Sequence, residues 1–234
     1  MIAANLRAVR ERIARATSRG GRSERSITLV AVSKTHPAEA VREAFLAGQL
    51  EFGENKVQEG EAKVAALGAL RPAGLRFHLV GHLQSNKAKK AVALFDLIHS
   101  VDGLDLGRKL AAAAAEAGQV QDVLVQADLA GEATKHGVGE DALLATLESL
   151  RGLAALRVLG LMILPPFEDD PEKTRPYFRR LRELRDRAAS EGILAGSALS
   201  MGMSHDFEVA IEEGATIVRV GTAIFGERKP PGQA

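Results

Sequence analysis

Residues 27–49 read ITLVAVSKTHPAEAVREAFLAGQ. The first seven are apolar on both alternating faces, which reads as a strand buried on each side. From Pro37 onward Val41, Ala44, Phe45 and Leu46 recur at helical spacing. A strand of that kind belongs to a parallel sheet with helices laid over it. The same alternation continues in both directions. Further strands are expected at 50–53, 75–81, 96–100, 122–129, 156–164, 197–200 and 216–220, with helices at 56–67, 85–94, 104–117, 141–150, 171–189 and 205–213. Eight strands, each but the last followed by a helix, predict an α/β fold of the closed (β/α)8 TIM-barrel type. An open doubly wound sheet is the alternative. There is no complete eighth helix, and an extra N-terminal helix at 5–18 is placed to cover the gap between the eighth and first strands. No Pro-, Gly- or Ser-rich linker divides the chain, so residues 1–234 are read as one domain.

Seven arginines fall in the first thirty residues, against Glu11 and Glu24. Such a start suits either a transit peptide or an ordinary helix. Leu6, Val9, Ile13 and Ala16 share one helical face, and Gly20-Gly21 then Ser23 stop the segment just before the first strand, which favours the helix. The net charge of +1 gives no field for wrapping nucleic acid. The longest apolar run, 158–167, is too short to span a bilayer. With no cysteine, disulfides, thiolate metal sites and cysteine nucleophiles are excluded, and a reducing, cytoplasmic setting is expected.

In a barrel the chemistry gathers where strands end and βα loops begin. Lys34 follows seven residues with little polar content, so the first strand delivers it into the mouth. An amine partly desolvated there keeps more free base for attack on a carbonyl, as a Schiff-base lysine needs; a lysine snorkelling at a strand end is the plainer reading. Ser204 opens the seventh helix, either as a simple N-cap or as the hydroxyl completing an anion site on its first turn. Gly221 and Thr222, after the eighth strand, add a close backbone approach and a second hydroxyl. The loops after strands seven and eight are where barrels commonly hold phosphate. Arg219 lies inside an apolar strand and needs either a structural carboxylate or a ligand acceptor. Together these residues suit pyridoxal 5'-phosphate (PLP): aldehyde to Lys34, phosphate to Ser204, Gly221 and Thr222, ring nitrogen toward Arg219.

The segments VAVSKT (30–35), FGEN (52–55), HLVGHLQSNK (78–87), GLM (160–162), LSMGMSHD (199–206) and RVGTAIFG (219–226) resemble the YggS/PROSC family of pyridoxal-phosphate homeostasis proteins. The resemblance runs from about residue 3 to 228. It implies a barrel of the alanine-racemase N-terminal type with PLP held as an aldimine on Lys34. It also implies phosphate contacts from Ser204, Gly221 and Thr222, Arg219 near the pyridine nitrogen, and Asn55 and His82 in or beside the pocket. Two places depart from the usual text: His136 within TKHG (134–137), and Leu164 ahead of Pro165-Pro166. The implied role is intracellular PLP homeostasis or delivery without turnover of its own, by a monomer that meets PLP, amino acids and, transiently, apo PLP enzymes.

The residues also speak to catalysis. Racemisation needs a second acid or base opposite the lysine. The only tyrosine, Tyr177, lies in a long outer helix, and the related racemases draw their second base from a C-terminal domain beyond the barrel. A guanidinium at the ring nitrogen disfavours a pyridinium and weakens the electron sink. A binding protein is therefore expected, with a PLP-dependent racemase-like enzyme as the alternative and a phosphosugar-handling barrel as another. Lys87, Lys89 and Lys90 read as a solvated helix face rather than a nucleic-acid patch. His78 and His82 read as hydrogen-bonded residues of the pocket rim rather than metal ligands.

Overall fold

The computed structural model describes residues 1–131 and 136–227. Thr134 and Lys135 of the TKHG segment lie outside the described residues. The strands are β1 (Thr28–Val32), β2 (Glu51–Glu54), β3 (Arg76–Leu79), β4 (Leu97–Val101), β5 (Gln121–Asp128), β6 (Val138–Gly139), β7 (Leu156–Ile163), β8 (Ala198–Ser200) and β9 (Ile217–Val220). All pairings are parallel, and the order β1-β2-β3-β4-β5-β7-β8-β9 closes on itself through β1–β9 and β4–β5. That is the eight-stranded barrel the alternation predicts. The two-residue β6 is a spur on β5 and takes no part in closure.

Strand alternation divides the core in two. Val30, Val32, Val80, Leu97, Leu124, Met162 and Ile217 fill the inside of the barrel, while Ala31, Phe52, Phe77, Leu79, Ile98 and their neighbours face the helices. Gly53 sits on the inner face because a Cβ there would stand 2.9 Å from Val30 Cγ1 and 3.3 Å from Val32 Cγ2.

The surrounding helices are α1 (Ile2–Arg19), α2 (Ala38–Leu46), α3 (Val57–Leu67), α4 (Ala88–Leu94), α5 (Leu104–Glu116), α6 (Glu140–Arg151), α7 (Arg175–Ser190), α8 (Phe207–Glu212) and α9 (Thr222–Phe225). Two expected helices begin as separate 3-10 turns, Ser85–Lys87 ahead of α4 and Pro171–Thr174 ahead of α7. The single turn of α9 stands where an eighth helix would run, and α1 covers the seam beside it, packing on α2, α8 and α9. Leu6, Val9, Ile13 and Ala16 form its buried face. Its arginines have structural work: Arg12 pairs with Glu208 at 2.9 Å and lies 4.4 Å over the Phe207 ring, and Arg19 pairs with Glu212 at 2.7 Å. Just past the helix, Arg22 donates to the carbonyls of Ile211 and Ala215. Among the described residues no helix is long and apolar enough to cross a membrane.

Candidate functional site at the barrel mouth

β1 lies between β2 and β9, so residues following its end stand between two groups of polar loops. Val30 and Val32 point into the barrel, and Lys34, two residues past Val32 in the turn that ends β1, is half-buried. The backbone on either side of Lys34 is held tightly. Ser33 Oγ donates to Glu54 Oε1 at 2.5 Å, and Lys63 Nζ, from α3, donates to both Glu54 Oε1 and the Ser33 carbonyl at 2.5 Å. Burial pushes the Glu54 carboxyl above its ordinary value, against the opposing pull of Lys63. On the other side Thr35 has φ +67°, the one positive value among the described non-glycine residues, and its N–H donates to Glu59 Oε2 at 3.1 Å. A β-branched residue in that region costs on the order of 1–2 kcal/mol. The strain falls on the residue next to the candidate amine.

On the β8–β9 side, the structure corrects one expectation. Ser204 is not the N-cap of α8; Asp206 takes that place and its Oδ1 accepts from the Met203 N–H at 2.7 Å. The Ser204 hydroxyl turns instead to the next loop, accepting from the N–H groups of Gly221 at 3.2 Å and Ala223 at 3.4 Å. The physical reason is the bend at Gly202, whose φ of +91° swings the chain across the mouth before α8 begins. A Cβ on Gly202 would stand 2.6 Å from Ala210 Cβ and 2.8 Å from Phe207 Cα. Gly221 is confined too, though less tightly, since a Cβ there would meet the Val32 carbonyl oxygen at 3.1 Å. Ser204, Gly221 and the exposed Thr222 therefore meet at one corner, with backbone donors and a hydroxyl converging on it beside the end of β1. That donor set suits a phosphate monoester.

Arg219 pairs in register with Val30 and lies in the interior beneath this corner. Nη1 donates to Ser200 Oγ at 2.6 Å and Nη2 to the Ile163 carbonyl at 2.8 Å. Among the described residues no carboxylate reaches ion-pair distance, so the structural-pair option is not realised. Burial lowers its guanidinium to about 10, with the charge of Asp206 pulling the other way.

Asn55 and His82 lie on the opposite flank, lining a cavity of about 670 Å³ with Lys56, Gln84 and Lys87. His82 stacks on His136 with ring centroids 3.5 Å apart and planes within 10°, and its Nδ1 is 3.3 Å from Asp102 Oδ2. His136 Nδ1 is 3.9 Å from the same oxygen. Parallel rings direct their Nδ1 lone pairs side by side rather than at one point, a poor arrangement for a shared ion. Lys89 and Lys90 pair with Glu116 and Glu61 on neighbouring helices. Tyr177 packs on the outer core from α7.

His78 is a second correction. It is not at the rim but on the inner face of β3, bonded to Glu51 and to His99. His99 is fully buried and also meets Ser200. These residues alternate in phase with Val80 and Leu97, a parity signal that marks them as interior.

Fold and rim together define a parallel barrel whose mouth gathers hydroxyls and backbone N–H groups beside a strand-end lysine. A family model described as alanine racemase, N-terminal domain, matches residues 3–229. The pyridoxal phosphate homeostasis protein of Aquifex aeolicus is 48% identical over 221 residues, covering 94% of this chain and 96% of that one. PipY of Synechococcus elongatus, solved with PLP bound, is 40% identical with a TM-score of 0.84, covering 97% of this chain and 100% of that one. The alanine racemase of Streptomyces coelicolor shares the fold at 21% identity and a TM-score of 0.71, covering 96% of this chain and 58% of the racemase. The chain belongs to the alanine racemase N-terminal domain family and, within it, to the pyridoxal phosphate homeostasis proteins.

Proposed function

We propose that this protein binds PLP reversibly and serves intracellular PLP homeostasis or delivery, as a single barrel domain, without a turnover of its own. The observation that carries the reading is the corner where Ser204 Oγ meets the Gly221 and Ala223 N–H groups beside the end of β1. The residues fit the group: Ser204, Gly221 and Thr222 offer hydroxyls and backbone donors for the phosphate, and Arg219 offers a donor to the ring nitrogen. Lys34 supplies the amine, condensing with the aldehyde to a C=N bond with loss of water. When bound, the cofactor contributes an electrophilic aldehyde and a conjugated ring. Asn55 and His82 line the flank on which an amine or an acceptor protein would approach.

The same geometry supports the absence of turnover. Arg219 is a hydrogen-bond donor, which disfavours protonation of a ring nitrogen facing it and so weakens the ring as an electron sink. Tyr177 packs on an outer helix, and His99 is locked inside the barrel by Ser200 and His78. The relatives are named for homeostasis rather than for a reaction. PipY's bound PLP and its 40% identity support the ligand assignment.

The test is a visible absorbance titration of the protein with PLP. Wild type is expected to develop a yellow band, and Lys34→Ala to lose it while retaining weak binding that inorganic phosphate displaces. Ser204→Ala is expected to weaken binding at least tenfold, about 1.4 kcal/mol. A colourless wild type, or racemisation of an amino acid well above the rate of free PLP, overturns the reading.

A further inference from the structure

An unbroken hydrogen-bond line threads the barrel interior. It starts on Arg219, whose Nη1 donates to Ser200 Oγ at 2.6 Å. Ser200 Oγ lies 2.8 Å from His99 Nδ1, His99 Nε2 lies 2.9 Å from His78 Nδ1, and His78 Nε2 lies 2.8 Å from Glu51 Oε2. Arg219, Ser200, His99 and His78 are buried, and Glu51, 27% exposed in its side chain, is the wet end. Glu51 opens β2, at the end of the barrel opposite the mouth.

The two ends dictate the direction. A guanidinium only donates and a carboxylate only accepts. With both histidines neutral, one pattern satisfies every atom: Arg219 donates to Ser200, Ser200 O–H to His99 Nδ1, His99 Nε2–H to His78 Nδ1, and His78 Nε2–H to Glu51. Burial, then the charges of His78 and Arg219, hold His99 well below its ordinary value, so it stays neutral. The reverse pattern needs a donor at the Glu51 position: a group donating to His78 Nε2 turns His78 Nδ1–H toward His99 Nε2 and His99 Nδ1–H toward Ser200, which then ceases to donate to it. The line thus has two arrangements, set by whether the group at its wet end accepts or donates.

We propose that Glu51 is a remote positioning residue for the mouth: through His78, His99 and Ser200 it sets which way Ser200 and Arg219 present their hydrogens to a ring held above them. This rests on the reading that Arg219 faces the ring nitrogen of PLP. Arg76 lies 3.9 Å from Glu51 Oε1, and Asp206 acts on Arg219 through its charge.

Nitrogen NMR of histidine-labelled, PLP-free protein reads the line without the ligand. At mildly alkaline pH both His78 and His99 are expected as Nε2–H tautomers in the wild type. Glu51→Gln offers His78 Nε2 an amide donor as well as an acceptor, so at the same pH a second population with Nδ1–H on both histidines is expected. With PLP loaded, the pH midpoint of the visible band is expected to move between wild type and Glu51→Gln, while borohydride still fixes the label on Lys34 in both. An Nδ1–H tautomer of His99 at alkaline pH in the PLP-free wild type, or equal midpoints in the two proteins, overturns the proposal. Failure of borohydride to label Lys34 instead overturns the reading of the mouth, and the tautomers still decide the line.

Discussion

Lys63, on α3, reaches 2.5 Å from Glu54 and from the Ser33 carbonyl, and it is buried with them. A buried pair of this kind adds little net stability, but removing one partner strands the other. Lys63→Met is expected to cost about 3–5 kcal/mol in urea unfolding, with a substantial part restored in the double variant with Glu54→Gln. If the single variant unfolds like wild type, the clamp behind Lys34 does not exist. His99 makes a second prediction. Its folded value lies well below the ordinary 6.5, so between those two values the unfolded chain binds more protons. Stability contributed by neutral His99 is therefore complete above 6.5 and is lost as pH falls toward the folded value, by at most about 1.4 kcal/mol per unit. His99→Gln is expected to flatten that acid limb, and an unchanged slope counts against a buried neutral imidazole.

At the scale of elements, the site is a matter of loops placed by strands. The β8–α8 connection crosses the mouth because Gly202 turns it at φ +91°, and a methyl group there collides with Phe207 and Ala210. Gly202→Ala is expected to displace Ser204 from the Gly221 and Ala223 N–H groups and to weaken PLP binding at least tenfold. Unchanged affinity means the Ser204 corner does not hold the phosphate. Much of this was legible in the sequence. Period switching located every barrel strand, since both-faces-apolar runs stand out against amphipathic helices; strand-end position singled out Lys34, and a lone charge inside an apolar strand singled out Arg219. What escaped was set by geometry that local sequence does not encode. Ser204 reads either as a cap or as an anion-site hydroxyl on the first turn of its helix, yet its partner is a loop that comes back in space only when the barrel closes. His78 reads as a pocket-rim residue because it stands close to the end of its strand; the inner-face alternation with Val80 is the available signal. Lys63 carried no mark at all, being an ordinary lysine on a helix until Glu54 meets it.

On the scale of the whole molecule, closure is the physical event that makes the mouth. β9 must zip to β1 for Arg219 to stand opposite Val30 and for Gly221 to press on Val32. Among the described residues a single turn, α9, follows the last strand, and that seam is covered by α1, whose Leu6, Val9, Ile13 and Ala16 are buried. The arginines that made the N-terminus resemble a targeting peptide tie α1 and its exit to α8 and the loop after it. Ile13→Ala is expected to cost about 2–4 kcal/mol in urea unfolding, with PLP affinity of the folded protein unchanged. If stability is unaffected, α1 is not part of the barrel's core.

The central claim is that one amine at the end of the first strand captures PLP. Borohydride reduction of the PLP-loaded protein, followed by mass-spectrometric mapping of the modified peptides, addresses it directly. The account predicts one stoichiometric adduct on Lys34; adducts scattered over surface lysines, or centred on Lys63 or Lys87, contradict it.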